Sequence, residues 1–337
     1  MFPLIVSPTR TALLSALGLA KCIESVPFGL YTEWLPRSTR REFANRRNVT
    51  LYATVEQCIP ALHKHTHLLT FGCTTAGPHR AAFRFAQAFA KLGKPRIDIQ
   101  HGLFQEGYTL DFEGSDVLDT DRAVGWSEFG RLTDPLPAAM TRDRKRIGIV
   151  SNLHWSRYTD QDRTLFLQCV RRICRTFPEY IVEWRPHLAE FAAGEDIHRS
   201  VYLIESNLRI LEFETVDEVS INRFLDRTDV VFSTPSTTIA DCQTRRVPCI
   251  VFDAGRLDLR GQGTMAIARD PASVIDLLTQ ALDAPSAFVP QVTGNRPFDV
   301  DAFVSLLESP DLRPSEEAER RARNFEILEA SLRSAHA

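Results

Sequence analysis

A chain of 337 residues is long enough for two hydrophobic cores, so two domains are expected. Hydrophobic residues make up 44% and charged residues 25%, the balance of an ordinary soluble globular protein. The net charge of −3 excludes a global electrostatic drive toward nucleic acid.

The first half alternates strands and helices. Pro3 to Ser7 reads as a strand, followed by a helix from about Thr9 to Ser25. Phe28 to Thr32 is a second strand, and Arg37 to Arg47 a charged helix or loop. Asn48 to Ala53 and His67 to Phe71 are two further strands. The small-residue turn Gly72 to Gly77 feeds a helix from Pro78 to Leu92, whose Ala82, Phe85, Ala86 and Phe89 form an apolar stripe at helical spacing. Pro95 to Gln100 is a strand with His101-Gly102 at its carboxyl end, and Ala123 to Trp126 is a short one. Residues 131 to 145, rich in proline and charge, read as a linker.

Alternation then restarts. Arg146 to Ser151 is a strand, Thr159 to Thr176 a helix, and Tyr180 to Trp184 a strand that ends in Arg185-Pro186-His187. Val201 to Ile204 is a minor strand and Val219 to Leu225 a short helix. Val230-Val231-Phe232 is a buried strand, followed by a hydroxyl-rich turn from Ser233 to Thr238, a helix opening at about Thr237, and a strand from Pro248 to Phe252. Pro271 to Leu282 and the charged stretch Ser315 to His336 are helices. Two such halves imply two doubly wound domains. The expected division is residues 1–140, residues 146–310 and a C-terminal helix at 311–337 that packs back on the first domain.

Several features are set aside. Seven cysteines without a CxxC pair argue for a reducing compartment, and Cys22, Cys58, Cys169, Cys174, Cys242 and Cys249 fall in apolar patterns as core fillers. The N-terminus lacks a basic region and no apolar stretch reaches 18 residues, so neither a signal peptide nor a membrane span is expected. No GxGxxG follows a strand, against a dinucleotide oxidoreductase. Asp119-Thr120-Asp121 is a DxD triplet in a loop, set aside as a metal site. His63, His65 and His67 would share one face of a strand, and a solvated edge is the reading adopted for them over zinc. Arg40-Arg41, Arg46-Arg47 and the run from Arg142 to Arg146 are surface clusters; a contact surface for a membrane-associated partner is the sharper alternative.

Three strand ends carry chemistry. The turn Ser233-Thr234-Pro235-Ser236-Thr237-Thr238 joins hydroxyl donors to a helix N-terminus, chemistry suited to a phosphate; the plainer alternative is that Ser236 and Thr237 only cap the helix. In Arg185-Pro186-His187, proline fixes the turn while Arg185 and His187 are both able to meet a phosphate. His101, with Gly102 allowing close approach, suits a general base or an oxyanion donor, or else a structural histidine.

In this order and placement the three elements resemble a GT-B glycosyltransferase, end to end. More narrowly the chain is similar to bacterial envelope transferases with CMP- or CDP-activated donors: Kdo- or sialyltransferases of capsule and lipopolysaccharide, and CDP-glycerol glycerophosphotransferases of teichoic acid synthesis. Their "HG" histidine matches His101-Gly102, their "RPHP" element Arg185-Pro186-His187, and their Ser-Thr turn Ser236-Thr237. Leu188 stands where the family pattern has its second proline.

The resemblance implies an α/β GT-B fold of two facing Rossmann-like domains with a C-terminal crossover helix. The donor would lie in the interdomain cleft, nucleotide on the second domain and acceptor on the first. Arg185, His187, Ser233, Ser236, Thr237 and Thr238 would hold the donor phosphate. His101, Glu106 or Glu113 would activate the acceptor hydroxyl, since related sialyltransferases use an acid before a glycine and both Glu106-Gly107 and Glu113-Gly114 qualify; a solvated acidic loop is the alternative. The implied donor is a CMP-linked sugar such as CMP-Kdo or CMP-sialic acid, the acceptor a saccharide or lipid-linked glycan. A single leaving phosphate requires neither metal nor cofactor. The expected location is cytoplasmic, with peripheral contact to an inner-membrane assembly complex, and no nucleic-acid partner. Transfer of a polyol phosphate from a CDP-polyol, and a non-catalytic GT-B subunit that binds a partner or glycan, are the alternatives.

Overall fold

The computed structural model describes residues 2–7, 18–20, 23, 26–32, 43–44, 46–71, 80–100, 102–103, 121–132, 145–154, 158–192, 205–218, 220–254, 259 and 262–309. The chain divides into two compact units, Met1–Pro135 with Arg296–Ala337, and Leu136–Asn295.

In the first unit the elements are β1 (Leu4–Ser7), β2 (Phe28–Thr32), β3 (Val49–Tyr52), α1 (Val55–Cys58), a 3-10 helix at Ile59–Lys64, β4 (Leu68–Thr70), α2 (Arg80–Lys91), β5 (Arg96–Ile99), β6 (Arg122–Val124) and α3 (Trp126–Phe129). The strands pair in parallel in the order β3-β2-β1-β4-β5-β6. Short apolar runs such as Leu4-Ile5-Val6 suit this sheet because parallel strands are buried on both faces. The stripe of α2 goes inward, with Ala82, Ala86 and Phe89 fully buried.

The second unit contains β7 (Arg146–Val150), α4 (Asp160–Thr176), β8 (Ile181–Arg185), α5 (Leu188–Ala192), β9 (Leu208–Ile210), α6 (Phe213–Glu218), α7 (Ile221–Asp226), β10 (Val230–Ser233), α8 (Thr238–Arg245), β11 (Cys249–Phe252), β12 (Gly263–Thr264), β13 (Ala266–Ala268), α9 (Pro271–Asp283) and β14 (Gln291–Val292). Its main sheet is parallel, in the order β13-β11-β10-β7-β8-β9, and β12 pairs antiparallel with β14. Thr159 and Asp162 form a capping box that starts α4. That helix sets Phe166 against Phe232 at 5.1 Å, Phe252 at 5.4 Å and Trp184 at 5.7 Å. Each such fully buried ring contributes roughly 1.5–3 kcal/mol. Gly148 lets α7 approach β7, since an added methyl would meet Thr228 Cγ2 at 2.8 Å and the Phe224 ring at 2.9 Å.

The chain returns to the first unit at Arg296, earlier than the residue 311 expected from sequence. Arg131 N–H donates to the Arg296 carbonyl at 2.7 Å and Asp299 N–H to the Phe129 carbonyl at 2.7 Å. Gly130, at φ +80°, admits this crossing, because a side chain there would strike Pro297. Helix α10 (Val300–Glu308) then buries Phe303 and Leu307 in the first core. The helix expected at Ser315–His336, the strand at Val201–Ile204 and most of the helix at Thr9–Ser25 lie outside the described residues.

One expectation is corrected. His65 is not on a solvated edge. It follows a 3-10 helix and is fully buried, its ring lying beside Gly29 of β2. Nδ1 donates to the Phe2 carbonyl at 3.3 Å and Nε2 accepts the Tyr52 hydroxyl at 3.0 Å, so both nitrogens are used in a neutral ring. In the second unit the edge strand β9 is preceded by Asn207, whose amide reaches the carbonyls of Cys174, Phe177 and Tyr180, each at 3.1 Å.

Asp121 of the DxD triplet pairs with Arg96 through contacts of 3.0 and 3.1 Å, both side chains buried. Among the described residues no three His, Cys, Asp or Glu gather as a metal-holding group. Cys58, Cys169, Cys174, Cys242 and Cys249 are buried. No described helix is long and apolar enough to cross a membrane.

Candidate functional site

In the second unit the chain lays down β7, moves outward through β8 and β9, and returns to place β10 on the other side of β7. Loops leaving the carboxyl ends of β7 and β10 therefore diverge, which makes the space above this pair the usual ligand position in an open parallel sheet. Three turns meet around it.

The turn after β10 opens α8. Ser233 is fully buried, its hydroxyl donating to the Thr234 carbonyl at 2.6 Å and lying 3.4 Å from Ser236 Oγ. Ser236 Oγ accepts the Thr238 N–H at 3.2 Å, so it serves the helix start as a cap. Thr237 occupies the N-cap position without a side-chain capping bond. Ser233 is thus part of the support under the turn, whereas Ser236, Thr237 and Thr238 form its rim.

The turn after β7, Ser151 to His154, is the hub. Asn152 N–H donates to Thr234 Oγ1 at 2.9 Å, and its amide reaches the Pro235 carbonyl at 3.3 Å. On the other side Leu153 N–H donates to Glu190 Oε1 at 2.9 Å, and the Ser151 hydroxyl to Glu190 Oε2 at 3.0 Å. Ser151 Oγ in turn accepts the Trp184 indole N–H at 2.8 Å.

The turn after β8 carries His187, whose N–H donates to Glu190 Oε1 at 3.4 Å and whose ring stacks on His154 at 4.6 Å. Burial and then the nearby Arg185 push the His187 imidazole down to about 4, and burial followed by His187 and Arg163 pushes His154 to about 3. At neutral pH this is a pair of uncharged rings. Burial raises the Glu190 carboxyl to about 7 against its hydrogen bonds from Ser151, Leu153 and His187. Arg185 faces away from this turn in part. Its Nη2 donates to the Val216 carbonyl at 2.9 Å, while Nη1 is buried with no hydrogen-bond partner.

Of the phosphate-site residues expected from sequence, the Ser236-Thr237-Thr238 rim and the His187 turn are joined through the β7 turn. Ser151, Asn152, His154 and Glu190 were not foreseen. Ser151-Asn152 follows a strand that only the sheet order places beside β10, and Glu190 stands three residues after His187 on α5.

In the first unit the matching switch point lies between β1 and β4. The turn after β5 is clamped by Gln100, whose amide N–H groups reach the carbonyls of Gly102 at 3.0 Å and Leu103 at 3.3 Å. Gln100 Oε1 accepts the Trp126 N–H at 2.7 Å. His101, Glu106 and Glu113 lie outside the described residues.

No family model and no curated protein matches this sequence. Solved structures do match. The UDP-GlcNAc 2-epimerase of Neisseria meningitidis bound to UDP-GlcNAc is 10% identical, over 92% of this chain and 100% of that chain, with a TM-score of 0.61. The S. aureus MnaA structure with UDP is 11% identical over 91% and 95%, at 0.60. The UDP-GlcNAc 2-epimerase of Methanocaldococcus jannaschii is 10% identical over 91% and 99%, at 0.59. What is shared at such identities is the fold, two parallel-sheet Rossmann-like units of the GT-B kind.

Proposed function

We propose that the second unit binds the phosphate of a nucleotide-activated sugar at the β7, β8 and β10 turns, and that the protein is a glycosyltransferase. The observation that carries this reading is the hydrogen-bonded convergence of the Ser236 turn, the Ser151–His154 turn and the His187 turn at the topological switch point. A helix N-terminus, hydroxyls and neutral imidazole N–H groups supply donors to a phosphate without a fixed counter-charge. In transfer, an acceptor hydroxyl loses its proton to a base, its oxygen bonds to the anomeric carbon, and the sugar–phosphate C–O bond breaks. The electron pair leaves with the nucleotide, where His187, Ser236 and Thr237 offset the growing charge. The base is assigned to His101, Glu106 or Glu113, and the donor to a CMP-linked sugar, by the family resemblance.

A second reading is rearrangement of a UDP-sugar. It is favoured by the matched structures with UDP-GlcNAc or UDP bound. Thermal-shift titration with CMP, CDP, UDP and GDP tests the site and separates the nucleotide classes; no shift with any of them counts against it. Incubation with CMP- and UDP-sugars in heavy water separates the reactions. Nucleotide release that requires an acceptor supports transfer. Deuterium entry at C2 of the sugar without an acceptor supports rearrangement.

A further inference from the structure

Glu190 is the most deeply placed charged group of this site, 1% exposed. One carboxyl oxygen takes the N–H groups of Leu153 and His187, the other the Ser151 hydroxyl, so it ties the turns after β7 and β8 together. Those two backbone N–H groups belong to the turns assigned to the ligand phosphate. An internal anion already sits on them, and a phosphate placed above the same turns faces a second negative charge in a poorly hydrated setting.

We propose that Glu190 is a positioning residue that holds the two phosphate-binding turns in register, and that it takes up a proton when an anionic nucleotide binds. This rests on the phosphate-site reading given above. The geometry accommodates the proton. Protonated at Oε2, Glu190 donates to Ser151 Oγ, while Oε1 still accepts from Leu153 and His187. The free carboxyl is poised for the change, because burial has already raised it to about 7. The groups around it are few. Arg163 of α4, whose Nε donates to the Leu153 carbonyl at 3.0 Å, favours the ionised form. Tyr158 is held neutral by burial and by the negative fields of Asp253, Asp162 and Glu190. His187 and His154 are neutral rings on the two turns, and Arg185 stands next to His187.

The sign follows from linkage. Below about pH 7 free Glu190 is already protonated and adds no pH dependence of its own. Above it, each pH unit costs a proton uptake, and affinity falls by about tenfold per unit. The test is calorimetric titration of the full-length protein with CMP and with UDP from pH 7 to 9, where the terminal phosphates are already dianionic. Two buffers of different ionisation enthalpy count the protons. Wild type should lose affinity by about tenfold per unit with net uptake of a proton. Glu190→Gln keeps the three contacts and mimics the protonated form, so its affinity should be flat over that range. A flat wild-type profile overturns the proposal, as does a slope that persists in Glu190→Gln, which would put the proton on His187 or His154. If Glu190→Gln fails to fold, infrared difference spectra of wild type with and without nucleotide decide: a new protonated-carboxyl C=O band on binding supports the proposal, and its absence overturns it. Failure of both nucleotides to bind wild type at any pH overturns the phosphate site itself.

Discussion

Replacing His187 by alanine should weaken nucleotide binding by about 1.5–3 kcal/mol, a loss of about 10- to 150-fold. The size comes from deciding how the ring meets a phosphate. Burial and Arg185 hold the free imidazole near 4, so charging it at pH 7 costs about 4 kcal/mol. A hydrogen bond to a charged group contributes about 1.5–3 kcal/mol, less than that cost. His187 therefore donates as a neutral ring, and its contribution should hold constant between pH 6 and 8. The assay is isothermal titration of CMP and UDP into wild type and His187→Ala at pH 7.5, with circular dichroism as a check on the fold. An unchanged affinity would remove His187 from the site. A contribution that grows steeply below pH 7 would show a charged ring and refute the neutral-donor account.

Three further outcomes are expected. His101→Ala should lower turnover by about 10²-fold or more while donor affinity barely changes, the pattern of an interaction made in the transition state; near-normal turnover would move the base to Glu106 or Glu113. His65 is held neutral by burial down to about pH 4, whereas an unfolded histidine protonates near 6.5, so its share of stability is complete above about 6.5 and drains away as pH falls toward 4. After discounting for screening this is about 2 kcal/mol, and urea melts of His65→Phe should show a shallower acid limb than wild type; matching limbs would exclude His65 as the acid-sensitive group. Glu183 bridges Arg146 at 3.2 Å and Arg227 at 2.8 Å, and Glu183→Leu should cost about 2–3 kcal/mol in denaturant unfolding, less than a fully buried pair because Arg227 is 39% exposed; a neutral result would mean water already solvates both guanidiniums.

The strands legible from sequence are those whose burial is complete. Arg-Ile-Gly-Ile-Val at β7, Val-Val-Phe-Ser at β10 and Cys-Ile-Val-Phe at β11 are central parallel strands, and burial on both faces leaves an unbroken apolar run. Helix α4 announces itself through Thr159 and Asp162 at capping-box spacing. The edges are different. Strand β9 has three residues with Arg209 exposed, and the hairpin of β12 and β14 pairs two residues with two, so partners and not local propensity decide them. His63, His65 and His67 show why alternation alone misleads. Pro60 sits in the first turn of a 3-10 helix, and the Lys94 amine binds the carbonyls of Leu62, His63 and His65, which holds this stretch out of strand geometry before β4 starts.

For the candidate site, residue type points to chemistry only where one turn holds all of it. The hydroxyl run after β10 is such a turn, and its position on a helix start can be read locally. Even there, Ser233 and Ser236 look alike in sequence, yet the pleat of β10 sends Ser233 beneath the turn and leaves Ser236 at the rim. Glu190 is the opposite case. On α5 alone it is one acid on a short helix, and its nearest sequence neighbour in the site is His187. It becomes a buried brace because β8 lies beside β7, which brings Ser151 and Leu153 from nearly forty residues away onto one carboxyl group. The same order sets β10 on the other flank of β7, so Asn152 links the hydroxyl turn to that brace. Strand order, which no local pattern encodes, gathers three separate strand ends into one hydrogen-bonded arrangement with a carboxyl group inside it. If a nucleotide phosphate is held above these turns, as proposed, the buried Glu190 carboxyl beneath them makes that binding depend on pH.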